Sequence, residues 1–151
     1  MKKIFLVIII LLLNNCGYTP IYSAKDSNFK IISLNSNVNN NLTNYIKNSI
    51  SVFSNEDSDK KLNISFNLKE NVSVILKDSK GDPAKNRLTI TVDVSLFDTN
   101  KNLVASNSFS ESFQYNIDDN KFNLKQYEKN LKFSLIEQIS QQIIEFLTNV
   151  K

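Results

Sequence analysis

The 151 residues hold 18 basic and 15 acidic side chains, no histidine, one cysteine, two glycines and two prolines. Without histidine there is no Ser-His-Asp or Cys-His catalytic centre, no imidazole metal site and no histidine proton switch. A balance this close to neutral gives no footing for nucleic-acid binding.

Lys2 and Lys3 precede an unbroken apolar run from Ile4 to Leu13. Positive charge followed by a short apolar stretch is the pattern of an export signal. At about 1.5 Å rise per residue the run reaches only half the hydrocarbon thickness, so a cleaved leader is expected rather than a spanning helix. Leu13-Asn14-Asn15-Cys16 follows. A lone cysteine has no intrachain disulfide partner, and its place at the end of the leader resembles a bacterial lipoprotein box. There the thiol takes a diacylglycerol and the chain is cut just before it. Asn15 stands where that box usually carries Gly, Ala or Ser. The reading is a signal peptide over 1–15 and lipidation at Cys16, with several acyl chains giving firm anchoring. In the sorting rule that this resembles, Gly17 in place of Asp points to the outer membrane. Loss of Lys2 and Lys3 with the leader leaves 16 basic against 15 acidic residues.

Residues 16–28 contain Pro20 and lack periodicity, which predicts a lipidated tether. Phe29 to Leu34 predicts a short strand. Val38, Leu42, Tyr45/Ile46, Ile50 and Phe53 recur at helical spacing, with Asn39 to Asn41 as capping candidates. After a charged connector, Leu62, Ile64, Phe66, Leu68, Val72, Val74 and Leu76 share one parity of a long strand with one buried face. Residues 77–86, with Gly81 and Pro83, read as a hairpin loop. Leu88 to Leu96 alternates as a second long strand, 98–102 is a turn, and Leu103 to Ile117 is a third. The last element is a helix of nearly thirty residues, with a stripe through Leu124, Tyr127, Leu131, Leu135, Ile139, Ile143, Leu147 and Val150 and Asn120 as its cap.

The order β-α-β-β-β-α predicts an α+β two-layer sandwich over 29–151. Its four-stranded, mostly antiparallel sheet is covered on one face by two helices. The pattern leaves open whether the first strand lies beside the second or at the far edge. Beyond Gly17 the only glycine is Gly81, which excludes a Gly-rich phosphate loop. Asp57/Asp59 and Asp118-Asp119 sit in turn-like stretches. A non-enzymatic binding or structural role is expected, with no metal and no cofactor beyond covalent lipid on Cys16.

The stretch Cys16-Gly17-Tyr18-Thr19-Pro20-Ile21-Tyr22, together with the element order over 29–150, resembles the outer-membrane lipopolysaccharide-assembly lipoproteins of the LptE type. That resemblance implies a plug inside a large outer-membrane β-barrel, the lipopolysaccharide-assembly translocon. The plug helps the barrel fold and binds lipopolysaccharide, without covalent chemistry, at the periplasmic side and lumen of the outer membrane. It also implies ligand contact by basic residues near a strand tip, here Lys85 and Arg87, close to Lys77 and Lys80. A polar lumen calls for a polar plug surface, and Thr89, Thr91 and Ser95 lie on the outer parity of their strand. Two other readings stay open: an accessory lipoprotein of another outer-membrane assembly machine, and a periplasmic lipid or small-ligand carrier with an apolar cavity between helices and sheet.

Overall fold

A computed structural model describes residues 27–150; the leader, Cys16 and the Cys16 to Tyr22 motif lie outside the described residues. The elements are β1 (Lys30–Ser36), α1 (Asn41–Ser51), β2 (Lys61–Lys77), β3 (Pro83–Phe97), β4 (Leu103–Asn116) and α2 (Lys121–Asn149).

Asparagine and serine are weak helix formers, so α1 depends on its start and on its buried face. Asn40 Oδ1 accepts from the Thr43 N–H at 2.9 Å, and Thr43 Oγ1 accepts from the Asn40 N–H at 2.9 Å. This reciprocal pair is a capping box. Leu42, Thr43, Ile46 and Ile50 are then buried. At α2, Asn120 Oδ1 accepts from the N–H groups of Phe122 and Asn123 at 3.1 and 3.2 Å, fixing the start where the sequence places it.

The sheet order is β1-β2-β3-β4, with β1 parallel to β2 and the two remaining pairs antiparallel. The first strand therefore lies beside the second. Parallel neighbours need a crossover rather than a tight turn, and α1 with its flanking segments supplies it. The β2–β3 and β3–β4 turns share one construction. Asp78 and Asp98 each accept two backbone N–H groups on Oδ1, and the left-handed position is Gly81 in one turn and Lys101 in the other.

Both helices cover the same sheet face. Ile64, Phe66, Ile90, Val92 and Leu96 from the sheet meet Ile46 and Ile50 of α1 and Ile136, Ile139, Ile143 and Leu147 of α2, all 2% exposed or less. At about 1.5 Å per residue, α2 is roughly 44 Å long, and it packs over β3 and β4. Gln142 of α2 bonds Glu111 of β4, Lys132 reaches Glu70 of β2, and the carbonyl of Val150 accepts from Lys60.

The hairpin loop expected over 77–86 spans only 78–82, because β3 pairs with β2 from Pro83 onward, and two expectations of burial also change. Burial on β2 stops at Leu68, and Val72 and Val74 are half exposed, while the irregularity after Val74 sets Leu76 opposite Lys85, on the face away from the helices. On α2 the buried set is Leu135, Ile136, Ile139, Ser140, Ile143, Ile144 and Leu147, whereas Tyr127 is exposed. The cause is common to both. β1 and α1 flank only the first half of the sheet, so the far halves of β2 and α2 have fewer neighbours.

Candidate partner-binding surface

The sheet face opposite the helices carries no layer among the described residues. Register and alternation set its composition. Five rungs across β2, β3 and β4 read Ser65–Ser95–Ser106, Asn67–Asp93–Ser108, Lys69–Thr91–Ser110, Asn71–Thr89–Ser112 and Ser73–Arg87–Gln114. Ser33 and Asn35 of β1 extend the same face, with Ser33 Oγ donating to Asn63 Oδ1 at 2.7 Å. Thr91 and Ser110 hydroxyls bond at 3.0 Å. The charges on the middle rungs are locally compensated, since Lys69 Nζ donates to Asp93 Oδ2 at 2.8 Å and Ser108 Oγ to Asp93 Oδ1 at 2.7 Å. The Lys69 bond, then the Ser108 bond, hold the Asp93 carboxyl below the usual carboxylate range.

Lys85 and Arg87 lie two residues apart on β3, on this open face and at its far end. Lys85 pairs in register with Leu76 and Asn116, and Arg87 with Ser73 and Gln114. Among the described residues neither forms an ion pair. Lys77 stands opposite Pro83, and Lys80 is in the exposed turn beyond. Two free cations thus stand at the end of a neutral polar carpet. The serines of β4 belong to it as fully as Thr89, Thr91 and Ser95; the alternation in "ASNSFSESFQ" is the signal that marks them.

On the helix side of the same end, Tyr115 donates to Glu128 Oε1, and its ring meets Tyr127 edge-on at 6.1 Å. Burial first, and the Glu128 carboxylate second, push the Tyr115 hydroxyl above the ordinary tyrosine range. Asn116, Ile117, Asp118, Asp119, Asn123, Leu124 and Tyr127 line a depression of about 570 Å³ nearby. Among the described residues no group of three His, Cys, Asp or Glu side chains is placed to hold a metal, and no helix is long and apolar enough to cross a membrane.

This two-layer arrangement is shared with solved bacterial lipoproteins. A rare lipoprotein B from Shewanella oneidensis is 14% identical over 78% of this chain and 92% of its own, with a TM-score of 0.61. An uncharacterized lipoprotein B from Nitrosomonas europaea is 14% identical over 87% and 90%, at 0.66. A minor lipoprotein from Acinetobacter baumannii is 19% identical over 79% and 90%, at 0.56. At such identities the likeness is one of fold. The lipopolysaccharide-assembly family LptE matches residues 26–147, and the chain belongs to that family. Its role is accordingly in lipopolysaccharide assembly. No curated protein matches the sequence.

Proposed function

We propose that this protein is an outer-membrane lipoprotein, anchored by lipid on Cys16 after loss of residues 1–15 and spaced by a tether over 16–28. In this reading its folded part plugs and helps assemble the lipopolysaccharide-transport β-barrel and contributes to lipopolysaccharide insertion at the cell surface. Family membership supports the lipopolysaccharide role. The observation that carries the plug is the uncovered sheet face, with its rungs of Ser, Thr and Asn. Neutral hydroxyls and amides are less costly to desolvate than charges and can exchange water for lumen hydrogen bonds. Lys85 and Arg87, unpaired at the end of that face, supply charge-assisted bonds to lipopolysaccharide phosphates. The role needs no catalytic centre or cofactor, and none is assigned. The carrier reading is less favoured, because Phe66, Ile90, Ile136 and Ile139 fill the space between helices and sheet.

Affinity purification of the full-length chain from bacterial envelopes tests the reading. Recovery of the lipopolysaccharide-transport barrel is expected. Reproducible recovery of a different outer-membrane machine would replace it with the accessory-lipoprotein alternative. Mass analysis of the N-terminus should find acyl groups on Cys16. Replacing Lys85 and Arg87 by glutamine should weaken lipopolysaccharide binding about tenfold, while the unfolding midpoint stays within a small surface effect. Unchanged binding removes the two residues from the contact.

A further inference from the structure

The β2 strand outlasts its parallel neighbour. Ser36 of β1 pairs with Phe66, the last rung of that pair. Asn37 then closes the ladder. Its N–H donates to the Phe66 carbonyl at 3.3 Å, its Nδ2 donates to the Leu68 carbonyl at 3.3 Å, and its Oδ1 accepts from the Leu68 N–H at 2.9 Å. One amide side chain imitates one more strand residue. From Lys69 to Lys77, β2 pairs with β3 on one side and, among the described residues, with no strand on the other. Open edges are normally guarded by charge or by bulges. Here Lys69 guards one end, while Lys77 and the irregularity between Val74 and Leu76 guard the other. Glu70 to Val74 lies between the guards.

The helix-side flank of that stretch is specific. Val72 and Val74 stand opposite Leu88 and Asn86 on the inner face, yet remain 50% and 46% exposed. Lys132 of α2 is ion-paired with Glu70, which sets the helix against the strand. Lys129 and Lys132 share a depression of about 230 Å³ with Glu70, Asn41 and Leu42, and Lys125 lines the next depression with both lysines. Glu70 is taken by Lys132 and Glu128 by Tyr115, whereas Lys125 and Lys129 form no ion pair among the described residues. Open backbone groups, an uncovered valine pair and the free ammonium group of Lys129 therefore meet at one strand edge, with Lys125 on the helix surface next to Lys129.

We infer that the β2 edge from Glu70 to Val74 receives an extended acidic peptide segment as an added strand. Backbone hydrogen bonds supply the affinity. An aliphatic side chain of the guest covers Val72 and Val74, and its carboxylates face Lys125 and Lys129. The inference stands apart from the barrel-plug reading, because it follows from the edge and not from the open face.

The test titrates the full chain, in zwitterionic detergent, with a blocked heptapeptide that places Glu, Val and Glu on one strand face and Thr on the other, and reads amide hydrogen exchange residue by residue. Saturable binding is expected, with new protection confined to outward-facing amides of residues 70–74. Val72→Lys/Val74→Lys and, separately, Lys125→Glu/Lys129→Glu should each lower the affinity about tenfold or more. Unaltered exchange in β3 shows that the variants are folded. A heptapeptide with Lys in place of Glu should bind far more weakly. The inference is overturned if there is no saturable binding, if binding occurs without edge protection, or if the Lys peptide binds equally well. Phosphatidylglycerol vesicles provide the lipid arm. If they engage the lysines and valines while the acidic peptide does not, the edge serves a lipid surface and the inference is again overturned.

Discussion

From Lys61 to Leu68, β2 hides every second side chain; from Lys69 to Lys77 it hides none. The two halves carry the same alternation, with Leu62, Ile64, Phe66 and Leu68 in one and Val72 and Val74 in the other. What differs is the company. The first half has β1 on its edge and two helices above it. The second half has β3 on one side, Lys132 of α2 reaching Glu70 and an open edge. Alternation in sequence thus specifies which face turns toward a second layer. Whether that layer arrives depends on how far the neighbouring elements extend.

The sharpest test compares truncations in the two halves. Ile136→Ala, beneath the covered half, should cost about 2–5 kcal/mol, from lost transfer energy and the cavity left behind. Val74→Ala should stay within about 0.5 kcal/mol, because its side chain is already half in water. Urea unfolding of both variants decides the matter, and equal losses would refute the two-part description.

A smaller effect is expected at the junction. Asn37→Ala removes both side-chain bonds to Leu68 and should cost about 1–2 kcal/mol. It should also speed exchange of the Leu68 amide while leaving Val92 in the core protected. Slow exchange at Leu68 in the variant would mean that the amide clip does not end the ladder.

The far end also carries a pH signature. The Tyr115 hydroxyl sits above the ordinary tyrosine range, so the folded chain holds that proton longer than the unfolded chain does. Stability is unaffected below a pH of about 10 and falls as pH rises from there through the folded value. Ultraviolet titration should show one late tyrosinate, absent in Tyr115→Phe. If the late component survives that substitution, another tyrosine is responsible.

The weakest expected effect belongs to the open face. The Asp93 carboxyl sits below its usual range, so its contribution is present above the unfolded value of about 4 and disappears as pH falls through the folded one. With both partners well exposed, Asp93→Asn should cost at most about 1 kcal/mol at neutral pH. The difference should vanish in acid, and a constant difference down to low pH would rule out the carboxylate as its source.

The candidate surface was partly legible in the chain. Thr89, Thr91 and Ser95 announced a polar face, and Lys85 and Arg87 lie on it because odd-numbered positions of β3 all turn away from Leu88. The β4 serines were visible as alternation but acquire meaning only when β3 sets them in rungs. The Tyr115–Glu128 bond and the Lys132–Glu70 pair had no local signal. Each joins residues on different elements, and the seat of α2 on the sheet decides which strand a given turn meets.

Short-range chemistry thus settled the elements and their order. Period-two and helical spacing identify strands and helices, Asn40 and Asn120 satisfy free N–H groups at helix starts, and Asp78 and Asp98 close the turns. These rules act within a few residues and can be read along a line. The parallel seat of β1, the early end of its ladder at Asn37 and the open edge of β2 depend on contacts between segments some thirty residues apart in the chain. Those contacts are chosen by competition for one shared apolar face, and only the folded molecule resolves that competition.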